Sequence, residues 1–313
     1  MLKTNCKNGR NRMNKLQPGD TIVVIAPARK VAKAELSAFF NWAKHHGFVI
    51  EESRNLYQEH HQFAGTDVQR AEDLAWAISH STAKAVFCAR GGYGSIRTLL
   101  ALKELNPSML DNLENFSPKW FVGFSDVTVL HFWLNNLGWP SIHAPVAVQW
   151  NSSNEFLLSI SSLESVLFKQ SVYINTDNLL ILNKKEFSGK LLGGNLSLIY
   201  SLQGSSLFQL ENKPVLFVED LDEYQYHIDR MFTSLMHNGV FENISALLVG
   251  GISDLKDNTI PFGISYETTL QIIASKFNIP IICGLPCGHL PVNLSLILGA
   301  DITFDGHQLS QQL

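Results

Sequence analysis

The stretch Trp120-Phe-Val-Gly-Phe-Ser-Asp-Val-Thr128 opens as an unbroken apolar run and closes on polar residues that lead into a helical pattern. The apolar run is too short for a helix and shows no polar alternation, so it reads as a strand covered on both faces. The residues that follow, to Leu137, predict a helix over 126–137. A strand feeding a helix through a tight turn is a βα unit, and repeated βα units build parallel sheets.

Upstream the same alternation recurs. Thr21-Ile-Val-Val-Ile-Ala26 is a β-branched run stopped by Pro27, and 33–46 reads as an amphipathic helix ended by Gly47. Phe48-Val-Ile50 is a second strand. Residues 67–79 predict a helix with Ala71, Leu74, Ala75 and Ile78 on one face. Ala85-Val-Phe-Cys-Ala89 is a third strand, followed by a glycine turn and a helix through Leu105. Downstream the texture changes. Residues 147–185 are rich in Ser and Asn, with one helical patch at 155–168, and read as a linker and surface segment. Beyond them, strands are expected at 214–218, 246–250, 280–283 and 302–304, and helices at 226–238 and 265–277. The expected division is a disordered extension over 1–15 (with Met13 an alternative start), an N-terminal domain over 16–146, a linker over 147–185 and a smaller mixed α/β domain over 186–313.

The composition suits an ordinary globular protein: 45% hydrophobic, 17% charged, formal net charge −4 over 313 residues. The negative balance argues against a nucleic-acid binder, which is usually basic. Charge is unevenly shared, with 16 Lys and Arg against 12 Asp and Glu through Trp150, and 8 against 16 after it. Cys6, Cys88, Cys283 and Cys287 are irregularly spaced and mostly in apolar runs, which fits a reducing compartment and no disulfide framework. No His or Cys cluster flanks Cys283 and Cys287, so no metal is expected. The first 15 residues are basic but carry no apolar run, and no stretch reaches the ~18 apolar residues of a membrane span. The expectation is a cytoplasmic protein with no membrane partner.

Three motifs carry chemistry. Gly123-Phe-Ser-Asp-Val-Thr128 puts a serine where strand gives way to helix. A hydroxyl on such a turn projects above the sheet edge, beside N–H groups able to stabilise an oxyanion. Serine is equally a favoured helix N-cap, and Val127 stands where G-x-S-x-G has its second glycine. Ala89-Arg-Gly-Gly-Tyr-Gly-Ser95 lets backbone approach a ligand and gathers N–H groups into a concavity. It is not a dinucleotide fingerprint, because Arg97 occupies the third glycine position. Arg90 there can clasp a carboxylate or make a structural ion pair. The third motif is split. Leu216-Phe-Val-Glu-Asp220 ends a strand in two acids, and Gly288-His289 follows another. An acid orienting a base is what a serine needs to become nucleophilic. A loop histidine, acids that complement a helix dipole, or a carboxylate–histidine metal site are the alternatives. His131 and His143 stay open as cleft residues.

Taken together, these stretches resemble the LD-carboxypeptidase family, serine peptidases that trim murein tetrapeptides. The four motifs occur in the family's order over nearly the whole chain after the first 15 residues. The resemblance implies a flavodoxin-like, parallel-sheet N-terminal domain carrying the nucleophile and a smaller, swivelling, β-rich α/β C-terminal domain carrying the acid and base. It maps the nucleophile to Ser125, the acid to Glu219 and the base to His289. The oxyanion hole maps to backbone N–H groups of Asp126 and of the Gly91–Tyr93 loop, with Gly92 and Tyr93 its expected donors. Phe124 replaces the family's usual Tyr, and the closing signature keeps Asn293 and Gly299 but lacks its proline.

The reaction so implied is attack by Ser125 on an L,D-peptide bond, releasing D-alanine, with no cofactor. Arg90 is expected to meet the terminal carboxylate and Glu223 another polar group of the peptide. The resemblance also implies a homodimer. Two other readings stand beside it. One is a self-immunity hydrolase of the same scaffold acting on a peptidyl-nucleotide antibiotic, for which the linker offers only Trp150 and Tyr173 as an aromatic platform. The other is a non-catalytic α/β module that binds an anion or sugar at the glycine loop.

Overall fold

The computed structural model describes residues 13–313. Its first half runs β1 (Thr21–Ile25), α1 (Ser37–His45), β2 (Val49–Glu52), α2 (Asp67–Ser79), β3 (Ala83–Cys88), α3 (Ser95–Leu105), α4 (Pro107–Asp111), β4 (Trp120–Gly123), α5 (Thr128–Asn136) and β5 (Ser141–His143). Then follow α6 (Asn154–Glu164), β6 (Ser171–Asn175), β7 (Leu180–Leu182), β8 (Phe187–Asn195), α7 (Leu196–Leu202), β9 (Val215–Leu221), α8 (Gln225–His237), β10 (Ala246–Ser253), α9 (Tyr266–Phe277), β11 (Ile281–Cys283), β12 (Leu296–Leu298), β13 (Asp301–Phe304) and β14 (Gln308–Gln312).

The strands form two sheets. The first has the order β2-β1-β3-β4-β5-β12. Its first five strands are parallel and follow the flavodoxin-like order, as expected. These strands are apolar on both faces because helices cover both. β1, β3 and β4 are almost wholly buried. α2 starts on a capping box, with Thr66 accepting from Gln69 N. It buries Ala71, Leu74, Ala77 and Ile78, and the half-buried Ala75 packs against the same core. Its last carbonyls are satisfied by a side chain. Lys119, buried at the head of β4, donates to the carbonyl oxygens of Ala77, Ile78 and His80.

The second sheet, of eight strands, has the order β6-β14-β13-β8-β9-β10-β11-β7. β8 to β11 are parallel, and the outer strands are antiparallel. This is the β-rich second unit. Two expectations about organisation change. Residues 147–185 hold α6, a π-helical turn (Ser165–Lys169) and the two edge strands β6 and β7, so they are built into the second sheet. The alternating burial of Ser-Val-Tyr-Ile-Asn in β6 is that of an edge strand with one wet face. In addition, β12 leaves the C-terminal part to pair antiparallel with β5 of the first sheet.

The expected disorder over 1–15 falls largely outside the described residues. Met13 to Lys15 are placed: Met13 is buried, its carbonyl accepts from Gln170, and that of Asn14 accepts from Trp120 Nε1. Both apolar cores draw on both sheets. One joins Val23, Phe121 and Leu130 to Leu192, Leu216 and Phe232, and the other joins Val24 and Phe87 to Phe217 and Leu248. Among the described residues no helix is long and apolar enough to cross a membrane.

Candidate active site

Ser125 directly follows the strand β4 and its exit residue Phe124. It adopts φ = +65°, a left-handed conformation that a residue with a Cβ enters only at a cost. The N-cap alternative does not apply. Ser125 opens a single 3₁₀ turn (Ser125–Val127) whose cap is Phe124, and no side chain caps it. The N–H groups of such a first turn lack intrahelical partners, Asp126 N–H among them.

Three contacts hold the turn. The Thr128 hydroxyl donates to the Ser125 carbonyl at 2.7 Å and accepts from Asn195 N of β8 at 2.9 Å, tying the turn to the second sheet. Asp126, almost wholly buried, accepts from Ser95 N at 2.7 Å and so couples the turn to the start of α3. Burial pushes the Asp126 carboxyl up, against the hydrogen bonds from Ser95 and Gly94. Beneath the turn, His131 Nε2–H donates to the Gly123 carbonyl at 2.9 Å, and Nδ1 accepts from the Ser141 hydroxyl at 2.8 Å. The carbonyl can only accept, which fixes the tautomer. Burial lowers His131 to about 3, so it is neutral and structural, and not a cleft residue.

The glycine loop meets Ser125 from β3. A Cβ on Gly91 would lie 3.2 Å from Ser125 Cβ and 3.5 Å from Oγ, so Gly91 is the residue packed on the hydroxyl. Gly92 (φ +104°) turns towards Arg29. Tyr93 is half-exposed, with its ring 6.2 Å from that of Phe63. Arg90 is paired with Glu35 Oε1 at 3.0 Å and with the Lys30 carbonyl at 3.4 Å. Glu223 bonds His227 in the first turn of α8.

Glu219 and His289 come together from β9 and from the loop after β11. Glu219 Oε2 accepts from His289 Nδ1 at 2.7 Å and from His289 N at 3.2 Å. Glu219 is fully buried, and burial alone would push its carboxyl up. The His143 and His289 rings outweigh this and hold it at about 2. The histidine loop is pinned by Asn293, whose Oδ1 accepts from Gly288 N at 2.8 Å, and by Ser253 Oγ, which donates to the His289 carbonyl. Asp220 instead serves structure. It accepts from Asn195 Nδ2, from Ser197 N at the start of α7 and from Leu221 N, and burial raises it to about 6.

The His289 side chain is 16% exposed, and its ring centroid lies 4.6 Å from that of Phe124, the residue before Ser125. With Nδ1–H given to Glu219, Nε2 is the basic nitrogen. Among the described residues it makes no hydrogen bond to the Ser125 hydroxyl. Sequence reasoning left His143 unassigned. The structure buries it completely, with Nε2 3.9 Å from Glu219 Oε1. Among the described residues no group of three or more His, Cys, Asp or Glu is placed to hold a metal ion. Cys88, Cys283 and Cys287 are buried free thiols.

The family models for the LD-carboxypeptidase N-terminal and C-terminal domains match residues 22–144 and 188–304. The murein tetrapeptide carboxypeptidase of Pseudomonas aeruginosa is 28% identical over 303 residues, covering 94% of this chain and 96% of that protein. The crystal structure of muramoyltetrapeptide carboxypeptidase from Oxalobacter formigenes superposes with TM-score 0.80 at 25% identity, covering 94% of this chain and 99% of that one. The microcin C7 self-immunity protein MccF, wild type and without ligand, superposes with TM-score 0.82 at 21% identity, covering 96% and 98%. That last likeness is one of fold.

Proposed function

Because the chain belongs to the LD-carboxypeptidase family, we propose that it is a serine carboxypeptidase that hydrolyses the L,D-peptide bond of murein tetrapeptides and releases their terminal D-alanine. The observation that carries the reading is the strained serine at the end of β4 with a carboxylate-held imidazole against the preceding ring.

In this reading Ser125 Oγ attacks the carbonyl carbon while its proton passes to His289 Nε2. The oxyanion faces N–H groups of Asp126 and of the Gly91–Tyr93 loop, with Gly92 and Tyr93 as candidate donors beside Gly91. Collapse expels the amine of D-alanine, which takes the proton from His289 and leaves an ester on Ser125. Water, deprotonated by His289, then attacks that ester, and the serine regains its proton as the shortened peptide leaves. Glu219 keeps the imidazole in the Nδ1–H tautomer and stabilises the imidazolium. The serine–histidine bond forms when substrate is bound, since such contacts are commonly loose without it. Arg90 receives the terminal carboxylate once Glu35 yields its place, and Glu223 is the candidate for a polar group further along the peptide. The same reading has the enzyme act in the cytoplasm as a homodimer, on the strength of the resemblance and of the unpaired thiols.

A nucleotide-directed hydrolase is less well supported. Trp150 is buried against Phe39 and Phe156, and Tyr173 stands on the edge strand β6, so neither forms a base platform beside Ser125. The test is D-alanine release from L-Ala-D-Glu-mDAP-D-Ala. Ser125→Ala is expected to lower it by a factor of at least about 10³. Undiminished release by that variant refutes the assignment.

A further inference from the structure

Three buried polar atoms without hydrogen-bond partners lie together beside the site: Nδ1 and Nε2 of His143, and Oε1 of Glu219. Folded proteins satisfy most such atoms, and those left over call for an explanation. His143 ends β5, in register with Gly123 of β4 and Leu296 of β12, so it stands beside the turn that carries Ser125. Its ring lies near-perpendicular to those of Phe124 (5.6 Å) and Phe217 (5.0 Å). The gap of 3.9 Å from Nε2 to Glu219 Oε1 exceeds a hydrogen bond by about 1 Å. Glu219 gives its other oxygen to His289.

We propose that His143 is a positioning residue of this site: in the catalytic state its Nε2–H closes on Glu219 Oε1 and fixes the carboxylate between two imidazoles. The proposal rests on the serine-peptidase reading above. A carboxylate bonded on one oxygen only can rotate and carry His289 out of line with the Ser125 hydroxyl, whereas a second donor locks its plane. The donor also draws charge from the carboxylate and limits how strongly Glu219 holds His289 as an imidazolium. The titratable groups around this pair are Glu219 and Asp220 on β9, His289 and Cys287 on the loop after β11, and His131 on α5.

The experiment compares wild type with His143→Phe, which keeps the ring but has no donor, and His143→Gln, whose amide can donate to the same oxygen. His143→Phe is expected to lower kcat about tenfold with KM within about twofold. It is also expected to move the acidic limb of kcat/KM, which reports the free enzyme's base, to higher pH. His143→Gln recovers most of kcat and the wild-type limb. Should His143→Phe not fold, His143→Asn, too short to reach Oε1, takes its place. Wild-type kcat and pH profile in the donor-free variant overturn the proposal. Equal losses in all variants with an unmoved limb also overturn it, because they indicate packing alone. An NMR titration of the His289 imidazole separates this from the failure of the peptidase reading. If the protein releases no D-alanine, a raised His289 pKa in His143→Phe still supports the coupling, and an unchanged one refutes it.

Discussion

Gly288 leaves the Glu219 carboxylate no competitor for its space: a Cβ at position 288 would lie 2.5 Å from Oε2 and 2.7 Å from Cβ and Cγ of Glu219. Gly288 also sits at φ +103°, where side chains are strained. The histidine loop can pass over the buried acid only because this residue is glycine. Gly288→Ala is therefore expected to push His289 away from Glu219, costing about 1–3 kcal/mol of stability and at least tenfold in kcat, roughly. Denaturant melts and D-alanine release check this, and wild-type turnover would refute it.

Ser125 pays for its position in backbone strain. Glycine tolerates φ +65° and alanine does not, although glycine brings a looser unfolded chain. Ser125→Gly is expected to exceed Ser125→Ala in stability by about 0.5–1 kcal/mol, while both lose D-alanine release. If the alanine variant melts at or above the glycine variant, the turn is not strained.

Acid should unfold the protein partly through Glu219. Its carboxyl is lowered from 4.5 to about 2 in the folded state, so on acidification the unfolded chain takes up the proton first. The stabilisation is complete above pH about 4.5 and drains away as the pH falls towards about 2. Glu219→Gln, which cannot titrate, is expected to show a flatter stability profile across that window. Parallel profiles for the two proteins would contradict the shift.

Much of the architecture is legible in the sequence because parallel strands covered on both faces read as apolar runs. β1, β3 and β4 announce themselves in this way. β8, Phe-Ser-Gly-Lys-Leu-Leu-Gly-Gly-Asn, does not, since its glycines look like a break. They answer tertiary needs: a Cβ on Gly193 would collide with the Phe217 carbonyl, and one on Gly194 would lie 2.3 Å from Thr128 Oγ1. β12 is equally hidden, three apolar residues whose partner lies more than a hundred positions earlier.

The site divides in the same manner. Ser125, Glu219 and His289 stand at strand ends inside recognisable stretches. His143 has no motif of its own, and only burial beside Glu219 draws attention to it. The left-handed backbone of Ser125 was unreadable because serine, unlike glycine, does not advertise it. Arg90 looked like a carboxylate clasp, and its pairing with Glu35 depends on the approach of the 3₁₀ turn Lys33–Leu36, which local sequence does not encode.

The crossing of β12 into the first sheet bears on how the molecule is made. Residues 296–298 flank β5, whose last residue is His143, so that platform stays unfinished until a segment about 150 positions further along the chain has been made. Domains that close on their own chain can mature during translation. Here the serine-bearing sheet waits for β12, and a nascent fragment that stops short of it lacks the strand that flanks His143.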